Sequence, residues 1–226
     1  MVPHHIAFIM DGNRRWAKQN LFSVPQGHSK GVDAMRSTVD RCADLGVKVV
    51  TAYAFSTENW NRPKWEVRAL IELIQNFLIN DKSEMVEKGI RFNTIGDLSA
   101  FPQKLIDLVA EVKEATSGSE RIDLVLALNY GSRNEICRAV QRAMALKLEP
   151  KELTEELFAS FLDTSNWPDP DLLIRPGGEM RLSNYLLWQL SYAEIFTTKK
   201  YWPDFSEKDL EDAIAEYKKR QRRWGT

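Results

Sequence analysis

The residues best suited to chemistry lie near the start of the chain. Ile6-Ala7-Phe8-Ile9-Met10 is a short apolar run, and Asp11-Gly12-Asn13-Arg14-Arg15-Trp16 follows at once. The run has the length of a buried strand and is too short for a globular helix. Asp11-Gly12-Asn13 breaks it, and residues 15–20 can open a helix. Asp11 therefore falls at the carboxyl end of a strand, where open α/β sheets hold their ligands. A carboxylate there, beside backbone N–H groups and two guanidiniums, suits a magnesium-bound phosphate ester. The bland alternative is an Asx turn in which Asp11 and Asn13 only tie strand to helix.

Three further strand ends carry polar groups. Ser56-Thr57-Glu58-Asn59-Trp60-Asn61-Arg62 closes a strand over 47–55, Asn129-Tyr130-Gly131-Ser132-Arg133 closes one over 122–128, and the stretch from Arg175 to Asn184 follows one over 171–174. Arginine forks bind phosphate oxygens bidentately. Gly177-Gly178 would let backbone N–H groups approach an anion closely. His28, at a helix start, either turns a ring nitrogen to phosphate or is simply exposed.

The elements that must position these groups alternate. Strands are expected over 6–10, 47–55, 90–95, 122–128, 171–174 and 193–197. Helices are expected over 15–20, 28–45, 64–88, 102–116, 134–146, 154–162, 185–192 and 205–224, with 21–26 irregular and Pro25 as a breaker. Such alternation predicts an α/β fold: a single domain over 1–226 with a central, mostly parallel sheet flanked by helices. The helix over 64–88 is apolar over a wide arc, which marks burial on both sides. It is either a core or dimer helix, or one whose second side lines a greasy cavity.

With 226 residues, 31 Lys and Arg against 32 Asp and Glu, and a net charge of −1, the chain can bury a core and gives no support for a general nucleic-acid binder. Cys42 and Cys137 read as small core residues in a reducing compartment. Neither a signal peptide nor a run near the roughly 18–20 residues of a membrane span is visible. There is no Walker loop, dinucleotide fingerprint, G-x-S-x-G or zinc spacing.

Several motifs together carry a resemblance: Met10-Asp11-Gly12-Asn13-Arg14-Arg15-Trp16-Ala17, Gly27-His28-x-x-Gly31, Phe55-Ser56-Thr57-Glu58-Asn59-Trp60-x-Arg62, Arg175-Pro176-Gly177-Gly178-Glu179-x-Arg181-Leu182-Ser183-Asn184 and Trp202-Pro203-Asp204-Phe205. In order and spacing, over nearly the whole chain, they resemble the cis-prenyltransferases, and within them the bacterial undecaprenyl diphosphate synthases. The resemblance implies that isopentenyl diphosphate units are condensed onto an allylic diphosphate, farnesyl diphosphate, making undecaprenyl diphosphate for cell-wall glycan assembly. It makes Asp11 the catalytic carboxylate and Asn59 the proton acceptor. It assigns the allylic diphosphate to Gly12, Asn13, Arg14, Arg15 and Trp16, with His28 and Arg62 assisting. Ser56, Thr57, Glu58 and Trp60 join the substrate site. Leu182 belongs to the substrate site as well, and Arg175, Arg181 and Ser183 would hold the diphosphate of the homoallylic substrate. Magnesium would rest on Asp11 and Glu194.

A homodimer is also implied, with Arg223-Trp224-Gly225 reaching a neighbouring subunit's site; the alternative is a solvated helix end complementing the dipole. So are a cytoplasmic location with peripheral contact at the inner membrane face, and an apolar tunnel beside the sheet. Residues 67–79 and 122–128 are its candidate walls, and Ala69 is a small residue whose enlargement would shorten the product if it faced inward. Val24 and Met180 stand where some family members carry arginine and histidine, and Arg14 where others carry glycine. Rival readings are a short- or medium-chain synthase, a non-catalytic partner subunit, and a phosphate-ester binding module or hydrolase.

Overall fold

A computed structural model describes residues 1–220. Six strands form one sheet in the order β3-β4-β2-β1-β5-β6: β1 (His5–Phe8), β2 (Val49–Ser56), β3 (Ile90–Ile95), β4 (Ile122–Tyr130), β5 (Leu172–Pro176) and β6 (Glu194–Thr198). Every pairing is parallel. The helices are α1 (Asn13–Gln19), α2 (Val24–Asp44), α3 (Lys64–Glu87), α4 (Gln103–Ala115), α5 (Ser132–Ala145), α6 (Glu155–Ala159) and α7 (Glu207–Lys219). Parallel neighbours need crossover connections, and helices supply them.

The two-residue period of a strand assigns each apolar side chain to a face. Ile6 and Phe8 of β1, with Leu124, Leu126 and Leu128 of β4, enter the larger core shared with α2, α3, α4 and α7. Ala7 of β1, with Val125 and Ala127 of β4, enters a smaller core capped by Tyr185, Leu186 and Leu190. All nine residues of β4 are buried, which matches its continuous apolar run.

The strand order changes direction at β1, which pairs with β2 on one side and β5 on the other. That switch point opens a crevice at the carboxyl ends of β1 and β5, directly below Asp11 and Arg175.

Several expected boundaries moved, each for a physical reason. Residues 24–26 are helical. Ser23 caps α2 through a capping box with Gln26, and Pro25 occupies the first turn, where its missing N–H costs nothing. Residues 185–192 form turns instead of a helix, because Asn184 and Leu186 hold left-handed backbone at φ 60 and 46. The buried Tyr185 donates its hydroxyl to the Thr51 carbonyl at 3.0 Å and pins this segment to the sheet. α6 is a five-residue helix capped by Thr154. Cys42 is buried as expected, but Cys137 is exposed. Among the described residues no helix is long and apolar enough to cross a membrane.

Candidate active site

Asp11 follows β1, and its carboxylate is gripped from two sides. Arg175, on β5 and almost fully buried, donates Nη2 to Asp11 Oδ2 at 2.8 Å. Arg15, one turn along α1, donates Nη2 to Oδ1 at 3.1 Å. Burial alone would raise the Asp11 pKa, but the hydrogen bond and charge of Arg175, then those of Arg15, hold it below the usual carboxylate value. Asp11 is thus ionised and aimed. Arg175 also donates Nη1 to Ser183 Oγ at 2.9 Å and to the Arg181 carbonyl, while its buried Nε has no partner.

Behind this pair lies an open cleft of about 260 Å3. Its polar end is formed by Asp11, Asn13, His28, Ser56, Asn59, Arg62 and Arg175; its apolar end by Met35, Leu70, Leu73, Ile74, Phe77 and Leu126. The wide apolar arc of α3 is therefore divided between core and cleft, although Ile79 is exposed. Residues 122–128 contribute Leu126 to the wall. The described structure has a cleft here where the sequence suggested a tunnel. Ala69 does not line it: it belongs to an outer groove between α2 and α3.

Beside the cleft mouth, Gly12, Asn13, Arg14, Arg15, His28 and Arg62 share a second concavity with Asp11. Arg62 Nη1 bonds Glu66 Oε1 at 2.8 Å, and Arg14 Nε stands 3.8 Å from the same oxygen. Glu66 is buried, and Oε2 is unpaired. Sequence reasoning missed it; the four-residue spacing from Arg62 was its signal. Burial, then the nearby Arg62 charge, push the His28 pKa down to about 4, so its ring is neutral at pH 7. Its buried Nε2 has no partner and can donate to an anion.

The motif Gly27-His28-x-x-Gly31 has a packing cause. A Cβ on Gly31 would stand 2.4 Å from Asn13 Oδ1 and 3.0 Å from the Trp202 ring. Glycine there lets α2 press against the loop that carries Asp11, and Trp202 Nε1 donates to the Gly31 carbonyl at 2.7 Å.

Some expected site residues have other roles. Trp16 is buried, stacks on Phe22 and donates Nε1 to Asp204 Oδ1 at 2.7 Å, so it braces α1 against the Trp202–Asp204 turn. Trp60 packs on Phe55 and Phe101 and donates to Asn129 Oδ1 at 2.8 Å. Neither Trp16 nor Trp60 lines the cleft. Glu58 is exposed and accepts from Asn184 in a separate groove that also holds Leu182 and Ser183. Thr57 stands at the base of the turn over Thr57–Asn61 that presents Asn59. Arg181 is largely exposed and paired with Glu179. The amides of Gly177 and Gly178 are not free for an anion, because they donate to the carbonyls of Lys200 and Thr198 at 2.7 and 2.8 Å. Gly177 is needed for its φ of 98, and because a Cβ would stand 2.8 Å from Arg15 Nη2. Met180 is exposed. Arg223 and Gly225 lie outside the described residues.

Asp11 and Glu194 do not meet within this chain. Glu194 opens β6 in register with Leu172, three residues before the level of Arg175, about 10 Å at the rise of a strand. It is paired with Arg220 instead, at 2.7 Å. No cluster of three or more His, Cys, Asp or Glu among the described residues could cage a metal. The single carboxylate of Asp11 still fits magnesium, which usually binds through one or two carboxylates together with substrate phosphates and water.

A parallel α/β sheet whose switch point holds an ionised aspartate among arginines, with an apolar cleft behind, defines a site for an anionic ester with an apolar tail. A family model described as "Putative undecaprenyl diphosphate synthase" matches residues 9–225. The isoprenyl transferase of Clostridium perfringens is 46% identical over 99% of this chain and 90% of its own length. That of Aquifex pyrophilus is 44% identical over 99% of this chain and 96% of its own length. Among solved structures, lavandulyl diphosphate synthase from Lavandula x intermedia, in complex with dimethylallyl diphosphate, superposes with a TM-score of 0.96 at 38% identity over 100% of this chain and 99% of that one. A probable undecaprenyl diphosphate synthase from Campylobacter jejuni gives 0.85 at 35% identity over 99% of both chains. The chain belongs to the undecaprenyl diphosphate synthase family of prenyltransferases.

Proposed function

We propose that this prenyltransferase adds isopentenyl diphosphate units to farnesyl diphosphate with Z geometry and releases undecaprenyl diphosphate, the precursor of a cell-wall glycan carrier. The observation that carries the reading is the Asp11–Arg175 pair at the head of an apolar cleft. Asn13, Arg14, Arg15, His28 and Arg62 receive the allylic diphosphate, and its tail lies along Leu70, Ile74 and Phe77. Arg175, Ser183 and Arg181 receive the diphosphate of the second substrate. Asp11 would hold magnesium, and the bound ion would supply charge stabilisation to the leaving diphosphate. The arginines stabilise the same charge in a site partly screened from water. As the allylic C–O bond breaks, the double bond of isopentenyl diphosphate attacks the freed carbon. Asn59 then guides the proton lost from the new cation, whose C–H electron pair becomes the double bond, towards the released diphosphate, which takes it up. One lone pair of its Oδ1 accepts from the Ser56 N–H at 3.2 Å, which leaves the other for that task.

The cleft is open at one end, so its walls do not by themselves set the length of the product. The second reading, a short- or medium-chain synthase, draws on the same cleft and on the fold shared with lavandulyl diphosphate synthase. A non-catalytic diphosphate-binding subunit is the weakest alternative, since the ionised Asp11 would then have no use.

The test is an incubation with farnesyl diphosphate and labelled isopentenyl diphosphate, with magnesium and then with chelator. Magnesium-dependent elongation to eleven units is the expected result. Shorter products would select the second reading. No incorporation by folded protein would overturn the enzymatic one.

A further inference from the structure

Asn184 has no place in the site described above, yet it connects three of the strand-end loops. Its Oδ1 accepts the Arg133 N–H at 3.0 Å, and its backbone carbonyl accepts the Ser132 N–H at 2.8 Å. Both donors belong to the start of α5, just after β4. Its Nδ2 donates to Glu58 Oε1 at 3.0 Å, in the turn after β2 that also carries Asn59. Asn184 itself lies in the loop after β5, next to Ser183, whose hydroxyl accepts from Arg175.

The backbone of this loop is strained. Ser183 and Asn184 have φ of 52 and 60, a region that non-glycine residues enter only when surrounding contacts hold them there. The contacts of Asn184 help to do so, beside those of Arg175 with Ser183 Oγ and the Arg181 carbonyl. The amide accepts from Arg133 with its oxygen and donates to Glu58 with its nitrogen, a pairing that neither aspartate nor alanine can make.

We propose that Asn184 is a positioning residue: its amide latches the loops after β2, β4 and β5 together and so holds Ser183 and Arg175 in the geometry that receives a diphosphate. The kinetic readout of this inference rests on the function proposed above. Loss of the latch lets Ser183 and the Arg181 carbonyl drift from Arg175 Nη1, which weakens the isopentenyl diphosphate site, while Arg175 Nη2 keeps its bond to Asp11 and the allylic site on α1 is undisturbed.

The experiment compares wild-type protein with Asn184→Ala, Asn184→Asp and the double variant Asn184→Asp/Glu58→Gln. It reads KM for each substrate, kcat, the thermal midpoint, and the affinity for inorganic pyrophosphate by calorimetry. Asn184→Ala should raise KM for isopentenyl diphosphate about tenfold, the usual scale for a lost hydrogen bond to a charged group, with KM for farnesyl diphosphate unchanged. Asn184→Asp should be worse, because two carboxylates then face each other. The double variant should recover most of that loss, since the amide introduced at position 58 donates to the carboxylate introduced at position 184 and restores the latch in reverse. An unchanged KM in Asn184→Ala, or a double variant no better than Asn184→Asp, overturns the proposal. So does a drop in thermal midpoint with both KM values rising together, the mark of a merely structural role. If wild-type protein binds pyrophosphate but does not elongate, the proposed function falls, and the latch is judged by whether pyrophosphate affinity follows the same order of variants. Wild-type protein that does neither overturns both.

Discussion

Asp11 is legible as a single residue because its neighbours in sequence announce a strand end. Its ionisation is set by Arg175, 164 residues away. Removing the carboxylate should remove the group that joins metal and diphosphate. Asp11→Ala is expected to cost on the order of thousandfold in turnover, about 4 kcal/mol of barrier, measured as kcat at saturating substrate. Near-normal turnover would take Asp11 out of the chemistry. A second prediction for individual residues concerns pH. His5 sits between the Pro168 carbonyl and Thr51 Oγ1, and burial pushes its pKa down to about 4; His28 is shifted to the same value. Both folded values lie below the unfolded 6.5, so between the two the unfolded chain binds more protons. Stability is then lost as pH falls from about 6.5 towards 4. Each histidine should contribute a loss of about 2 kcal/mol between pH 7 and pH 5. Urea titrations at the two values would measure it, and His5→Gln should remove roughly half of the slope. An equal slope in that variant would contradict the assignment.

Among the elements, α3 decides what the site can hold. Its sequence revealed a helix buried on two sides, but not which turns face the cleft. The 3.6-residue period fixes relative directions only, and the absolute rotation is set by packing against α4, α2 and β3. Leu70, Leu73, Ile74 and Phe77 turn inward, whereas Ala69 turns to the outer groove. The small wall residue is instead Ala54 of β2. Ala54→Leu should therefore shorten the product, and Ala69→Leu should leave its length unchanged; chromatography of the extracted lipids decides between them. If only Ala69→Leu shortened the product, the direction of chain growth would have to be reversed. The start of α2 carries the parallel lesson. Pro25 reads as a breaker in isolation, but Ser23 and Gln26 around it make a capping box, which turns the proline into part of a helix start.

For the whole molecule, the resemblance placed Glu194 beside Asp11 as a second magnesium ligand. The parallel register of β5 and β6 sends it to the end of the sheet remote from Asp11, where it pairs with Arg220. We therefore expect magnesium affinity to follow Asp11 and the bound diphosphate, with Glu194→Gln leaving the affinity within a chain unchanged when measured on diphosphate-loaded monomer. The homodimer implied by the family resemblance predicts a solution mass of twice the chain mass by light scattering, and a monomer active at high dilution would count against it. The order of the strands and of most helices, and the parallel sheet, were readable along the chain, because they follow from local periodicity and residue type. Other outcomes came only with the packed molecule: that Arg175 meets Asp11, that Trp16 and Trp60 brace the loops while Glu58 and Asn184 join them, and that the glycine amides after β5 are already used. These depend on strand register and on which face each helix presents, and both are set by contacts between residues far apart in the chain.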